Sequence, residues 1–170
     1  LWFAIFFSFL VKVPMFPLHS WLPEAHTEAP TIGSIILAAI LLKLATFGIY
    51  RYSLNMFINI NTTSTPWSSF LPFIFILSII SILLASLTAL RSIDFKKIIA
   101  YSSIAHMNFS IFALFSNDLV GLVGASYLIF SHAFVSSALF LLIGILYIRY
   151  HSRNLYYYKG LFYTMPLFAF

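Results

Sequence analysis

Two lysines lie near the centres of two successive apolar runs in this sequence. Lys12 directly precedes Val13-Pro14, and Lys43 lies within Leu41-Leu42-Lys43-Leu44. A charged side chain at the centre of a bilayer costs a few kcal/mol or more, so ionisable residues there are functional candidates. A desolvated lysine can gain and lose a proton when a neighbouring charge changes. We therefore predict that both lysines belong to a proton relay. The alternatives are a lysine that snorkels to the interface and a lysine paired with a carboxylate for packing.

Two histidines in later apolar runs could carry the same proton further. His106 has Ser102, Ser103 and Ser110 at helical spacing on its own face, and His132 lies in the following run. Imidazole titrates near pH 6.5, so either ring can pass a proton. The alternative is a neutral histidine that joins two helices by hydrogen bonds. Together with the lysines, the histidines predict a polar file across the protein.

The other ionisable groups point to no further chemistry. His19, His26 and His151 lie near predicted turns and are interpreted as structural. His19 and His26 could be a pair of metal ligands, but no third ligand is evident, so no metal site is predicted. No cysteine is present, and neither a phosphate-binding glycine loop nor a haem-ligand pattern occurs. All carboxylates fall in predicted turns: Glu24, Glu28, Asp94 and Asp118. A buried lysine relay needs a carboxylate, so we expect helices outside these residues to supply one, from a split gene or a longer chain.

The composition requires a membrane around these residues. Hydrophobic residues make up 62% of the chain and charged residues 8%, and the mean hydropathy is +1.00. A soluble domain carries about 25% charged residues. The apolar runs are long and do not alternate, which predicts an all-α polytopic membrane protein in contact with lipid. The net charge of +5 is concentrated in loops, which argues against nucleic-acid binding.

The apolar runs predict five full spans and the start of a sixth within a single membrane domain. Their approximate ranges are 1–22, 31–50, 70–90, 98–115, 119–148 and 160–170. Pro14 and Pro17 predict a break in the first span, because proline removes a backbone donor and clashes with the preceding turn. Residues 22–31 are interpreted as a hydrophilic turn, in which Glu24 lies near the start of the second helix. Residues 51–69 are interpreted as a polar loop.

The basic residues give the spans a predicted orientation. The turns after the first, third and fifth spans fall on one side, and they carry Arg91, Lys96, Lys97, Arg149, Arg153 and Lys159. Arg51 falls on the other side. By the positive-inside rule, the basic side faces the cytoplasm or the mitochondrial matrix.

Several stretches resemble one known family. These are Lys12-Val13-Pro14, the run LHSWLPEAHTEAPT at 18–31, LLKL at 41–44, DFKKIIAYSSIAHM at 94–107 and Ser131-His132-Ala133. They are similar to the subunit 4 family of NADH:ubiquinone oxidoreductase, respiratory complex I, over nearly the whole chain. The resemblance implies part of a fourteen-helix antiporter-like fold, from about helix seven to helix twelve, with the break at Pro14 in helix seven.

The resemblance also implies roles. Lys12 would lie beside an acidic residue of helix five, Lys43 would link two half-channels, and His106 and His132 would extend the central axis. It implies a non-redox subunit without a cofactor, since FMN, iron–sulfur clusters and ubiquinone belong to other subunits. The implied partners are other membrane-arm subunits, neighbouring antiporter-like subunits and possibly a second chain that supplies the missing helices. The implied location is the mitochondrial inner membrane or, alternatively, a bacterial plasma membrane. A multisubunit cation/proton antiporter and a purely structural role in the membrane arm are the competing interpretations.

Overall fold

In the part of the chain that the structure describes, all secondary-structure elements are helices apart from one isolated β-bridge. The computed structural model describes residues 2–54, 70–116 and 118–160, together with Tyr163 and Met165. The main helices are α1 (Trp2–Lys12), α2 (Trp21–Glu28), α3 (Thr31–Leu54), α4 (Leu71–Arg91), α5 (Phe95–Leu114) and α6 (Leu119–Tyr150). A short 3₁₀ helix, Leu155–Tyr158, follows them. The predicted all-α class is confirmed.

Three of the described helices are long and apolar enough to cross a membrane: α3, α4 and α6. The longest, α6, has 32 residues. At 1.5 Å per residue it extends about 48 Å, well beyond a hydrocarbon core of about 30 Å. It therefore tilts within the bilayer or projects from it. The predicted sixth span, 160–170, lies largely outside the described residues.

Two segments differ from their predicted structure. Residues 22–31 were expected as a turn, but most of them form α2, which buries Leu22, Pro23 and His26. Pro23 is tolerated because it lies in the first turn of α2, where backbone donors need no helical partner. Glu24 accordingly lies at the start of α2 rather than of α3. The predicted loop at 51–69 is also partly helical, since α3 continues to Leu54, and residues 55–69 lie outside the described part.

The break predicted at Pro14 is present, and neighbouring helices bind the backbone groups that it frees. Helix α1 ends at Lys12, two residues before Pro14. The Pro14 carbonyl accepts a hydrogen bond from Asn108 Nδ2 at 3.0 Å, and the Phe16 amide donates to Ser81 Oγ at 2.8 Å. Non-helical backbone at membrane depth is tolerated only against protein or water. Here α4 and α5 provide the protein contacts.

The helices pack in the order α4 on α5, α5 on α6 and α6 on α3. One apolar core joins the broken segment to α3, α4 and α5, with Phe6, Val13, Met15, Leu42, Ile74, Ile104 and Ile111 among its buried residues. At the start of α3, Thr31 lies against Gly144 of α6 so closely that a side chain at Gly144 would collide with it. This contact fixes the seam between α3 and α6, which carries the polar residues described below.

The turns predicted to lie on one side meet at one end of the helices, and the two that follow α4 and α6 carry the basic residues. Lys96 Nζ donates to the carbonyl of Ala29 at 2.8 Å, and Arg153 Nη1 donates to the carbonyl of Thr27. An isolated antiparallel bridge also joins Asp94 to Asn154. The turns that follow α2, α4 and α6 are thereby tied together.

Candidate functional site

The site begins with an irregularity in α3. Residues Leu37–Leu41 and Ile49–Leu54 have π-helical hydrogen bonding, whereas Leu42–Gly48 between them is α-helical. Lys43 is the second residue after the first π turn, and its Nζ donates a hydrogen bond to the carbonyl of Ala38 within that turn. Single π turns inside α-helices occur frequently at functional sites. In α3, the irregularity places a carbonyl oxygen within reach of the lysine five residues later.

The second partner of Lys43 is a histidine on another helix. Lys43 Nζ lies 2.8 Å from His132 Nδ1, across the seam between α3 and α6. His132 is buried, and its own carbonyl accepts a hydrogen bond of 2.7 Å from Ser136 Oγ one turn later. A neutral imidazole accepts at one nitrogen and donates at the other. The ammonium of Lys43 and the Nδ1 of His132 can therefore share one proton.

His106 extends this pair to a third helix. Its ring centroid on α5 lies 5.9 Å from that of His132, with 53° between the planes. His106 is exposed in this chain, whereas His132 is buried. Lys43, His132 and His106 therefore form a row that crosses α3, α6 and α5 in turn. The row is the candidate site.

The serines predicted to accompany His106 bond elsewhere. Ser102 Oγ donates to the Ile99 carbonyl at 2.8 Å, and Ser110 Oγ donates to the Met107 carbonyl at 2.7 Å. Ser103 is buried, whereas His106 is exposed. Because Ser102 and Ser110 donate within their own helix, neither of these two hydroxyls donates to the His106 ring. Their oxygens keep lone pairs that can accept from other groups.

Lys12 stands apart from the row. It is exposed at the end of α1 and lines an open cavity of about 230 Å³ with Trp21, Leu41 and Leu42 among the other lining residues. Within the described ranges, Lys12 makes no hydrogen bond or ion pair. The structure thus brings together three of the four predicted relay residues. The fourth faces a cavity beside the helix that carries Lys43.

Two further groups belong to the site but were not singled out in the sequence. Asn108 holds the break next to Lys12 through its bond to the Pro14 carbonyl. The sequence signal for Asn108 was a side-chain amide in the middle of an apolar helix, two residues after His106. The Ala38 carbonyl had no signal, because a π turn depends on packing and not on a residue pattern.

Comparison with known proteins places the whole chain within one family. The family described as "NADH:quinone oxidoreductase/Mrp antiporter, TM" matches residues 1–170. The chain is 55% identical to NADH-ubiquinone oxidoreductase chain 4 of Chondrus crispus and 56% identical to that of Marchantia polymorpha, covering 99% of this chain and 33% of each relative. It is 46% identical to NADH-quinone oxidoreductase subunit M of Rhodobacter capsulatus, over 99% of this chain and 32% of the relative.

Solved structures agree with these relatives. The fold matches a chain of respiratory complex I from Thermus thermophilus with bound NADH, with a TM-score of 0.84 and 28% identity over 99% of this chain and 35% of that one. It also matches a chain of the membrane-bound sulfane sulfur reductase, an archaeal respiratory membrane complex, with a TM-score of 0.88 and 26% identity over 99% of this chain and 34% of that one. This chain therefore spans about a third of its curated relatives' length. It belongs to the NADH:quinone oxidoreductase/Mrp antiporter transmembrane family.

Proposed function

We propose that this chain forms the middle part of a proton-translocating membrane subunit of respiratory complex I, which couples electron transfer from NADH to ubiquinone to proton pumping. The observation that carries the proposal is the 2.8 Å approach of Lys43 Nζ to His132 Nδ1. The two residues lie on α3 and α6, which are both long and apolar enough to span a membrane. An amine and an imidazole at this distance can exchange a proton directly.

The row of side chains supports a stepwise transfer. The ammonium of Lys43 gives a proton to His132 Nδ1, so that one N–H bond breaks and another forms. His132 then releases the proton on Nε2 toward His106, and its ring is left neutral as the other tautomer. Lys43 is left as a neutral amine until a new proton arrives, and Lys12 beside the cavity is the proposed source.

The chain would act without a redox centre of its own. It contains no cysteine, so no thiolate can hold an iron–sulfur cluster here. Flavin, iron–sulfur clusters and quinone would be bound by other subunits, and neighbouring antiporter-like subunits would be its membrane partners. Carboxylates that compensate the charge of the lysines would come from the part of the subunit outside these residues. The proposed location is the mitochondrial inner membrane, with a bacterial plasma membrane as the alternative.

The test is Lys43→Met in the intact complex, with Lys97→Met as the matched control. Lys97 is a surface lysine 3.9 Å from Asp94, away from the row. Lys43→Met should assemble but move fewer protons per NADH oxidised, whereas Lys97→Met should match the parent. Pumping at the parent level in an assembled Lys43→Met complex would support the structural interpretation and rule out the relay.

The family also includes Mrp antiporters, so cation/proton exchange is the second candidate. Copurification distinguishes the two. If the chain is recovered with flavin and iron–sulfur subunits and its proton movement depends on NADH, the complex I role holds. If it is recovered without them and exchanges sodium for protons in vesicles, the antiporter role holds.

A further inference from the structure

One buried histidine has no part in the row described above. His26 of α2 is 0% exposed, and neither of its ring nitrogens has a hydrogen-bond partner in the part of the chain that the structure describes. Its ring stacks on Phe140 of α6, with centroids 4.5 Å apart and planes inclined by 14°. Buried polar atoms of a folded protein almost always have a partner. A buried imidazole with two open nitrogens therefore calls for a function.

His26 lies on the same seam as the pair of Lys43 and His132. On α6, His132, Ser136 and Phe140 follow one another at intervals of four residues and so lie on one face. The eight residues from His132 to Phe140 correspond to about 12 Å along the helix. The seam thus leads from the lysine–histidine pair, past a buried serine, to the ring of His26.

The facing helix α3 lines the same seam with buried residues between His26 and Lys43. Ser34 is buried, and its Oγ donates to the His26 carbonyl at 3.3 Å. One turn further, Ala38 is buried and accepts the bond from Lys43. Small and hydroxylated side chains therefore line the seam between the two ionisable centres.

Basic groups surround the other end of this seam. Lys96 of α5 donates to the Ala29 carbonyl at 2.8 Å, and Arg153, which follows α6, donates to the Thr27 carbonyl. Burial, and secondarily the charge of Lys96, lower the pKa of His26 to about 4. The imidazole is therefore neutral near pH 7 and can accept a proton at one nitrogen while it donates from the other. The acids of the same helix, Glu24 and Glu28, are exposed.

We propose that His26 is a further proton-transfer residue, which passes protons between the Lys43–His132 pair and the basic end of the helices along the seam between α3 and α6. This inference rests on the proposed function. A separation of about 12 Å exceeds a single hydrogen bond, so the transfer runs through water molecules held by Ser34 and Ser136. At His26 one N–H bond forms as the other breaks, and no net charge remains on the ring.

The experiment compares two His26 variants in the intact complex. His26→Phe keeps an aromatic ring stacked on Phe140 but cannot carry a proton, and His26→Gln keeps polar atoms that hold water but does not titrate. His151→Asn is the control, because His151 is an exposed histidine with a positive φ of 50°, which asparagine tolerates. The readouts are protons moved per NADH oxidised and the slowing of pumping in heavy water.

Both His26 variants should assemble and should lose pumping to an extent similar to Lys43→Met. The slowing of their remaining pumping in heavy water should differ from that of the parent. The control should match the parent. If Lys43→Met loses pumping while either His26 variant pumps like the parent, the inference is overturned and the proposed function stands. If Lys43→Met itself pumps normally, the proposed function fails. If neither His26 variant assembles, His26 serves packing, and the inference is overturned.

Discussion

Asn108 Nδ2 lies 3.0 Å from the carbonyl oxygen of Pro14, although 94 residues separate them in the chain. The same amide nitrogen lies 2.8 Å from the carbonyl of Ile104, one turn earlier in α5. A single side chain therefore donates to a carbonyl that is left open where the helix breaks, and it anchors the broken segment to α5. The position of Lys12, at the last turn before the break, depends on this anchor.

Replacing Asn108 by leucine should destabilise the protein by about 1–3 kcal/mol, because the Pro14 carbonyl would be buried without a donor. The measurement is thermal unfolding of the purified complex in detergent. Ser102→Ala is the control on the same helix, since Ser102 donates only to its own helix at Ile99. Equal stability of the two variants would show that the Asn108–Pro14 bond contributes nothing.

Lys43 and His132 should behave as one unit. If they share a proton at 2.8 Å, the variants Lys43→Met and His132→Gln should each reduce proton pumping, and the double variant should lose little more than the worse single variant. Pumping in vesicles, normalised to NADH oxidation, measures each step. Losses that simply add would mean that the residues act separately.

The contact between α3 and α6 should be sensitive to one methyl group. A Cβ at Gly144 would lie 2.7 Å from Thr31 Cγ2 and 3.1 Å from Thr31 Cβ, so Gly144→Ala should push the helices apart and lower both stability and pumping. Thr31→Ser removes the closer methyl and should partly rescue the variant. Gly124→Ala on the same helix is the control, because a Cβ there meets nothing within 4 Å. An unchanged melting temperature for Gly144→Ala would refute the tight contact.

The buried state of His26 gives the fold a dependence on pH. The pKa of His26 is lowered from 6.5 to about 4, so the unfolded chain binds a proton more readily than the folded one. Stability should therefore be lost as the pH falls from 6.5 toward 4, by on the order of 3 kcal/mol at most from this residue. From about one pH unit above 6.5, where the unfolded imidazole is also neutral, the residue contributes no pH dependence.

The measurement for this prediction is the melting temperature of the purified complex at pH 7.5 and at pH 5, for the parent and for His26→Phe. The variant should lose less stability than the parent on acidification. Identical losses would mean that another group causes the acid sensitivity and that His26 is solvated in the folded protein.

The sequence predicted the helices more closely than the contacts between them. Long apolar runs with few charges have few alternatives to helix in a membrane, and the prolines marked the break at Pro14. The prediction of a turn from Leu22 to Thr31 was wrong. The charges of this segment suggested a turn, but most of it forms α2, which buries Leu22, Pro23 and His26. Local polarity does not reveal what packs against a segment.

The candidate row was predicted as a set of residues but not as a geometry. Lys43 and His132 stood out because charge and imidazole are costly in an apolar run. Their partnership spans 89 residues, and no local pattern encodes it. The burial of His26 likewise depends on α6, whose contribution at that point is the plain aromatic ring of Phe140.

The π turn at Leu37–Leu41 determines how the orientation of Lys43 responds to the loss of one residue from α3. A π turn holds more residues than an α turn, so the residues after it are rotated relative to a regular helix that starts at Thr31. Loss of one codon within the turn could be absorbed by reverting to a regular helix. Because the turn accommodates one extra residue, that deletion would leave Lys43 facing His132. A substitution that restored regular α-helical hydrogen bonding with every residue still present would instead turn Lys43 by about 100° away from His132, which would preserve an apolar helix and abolish the pair.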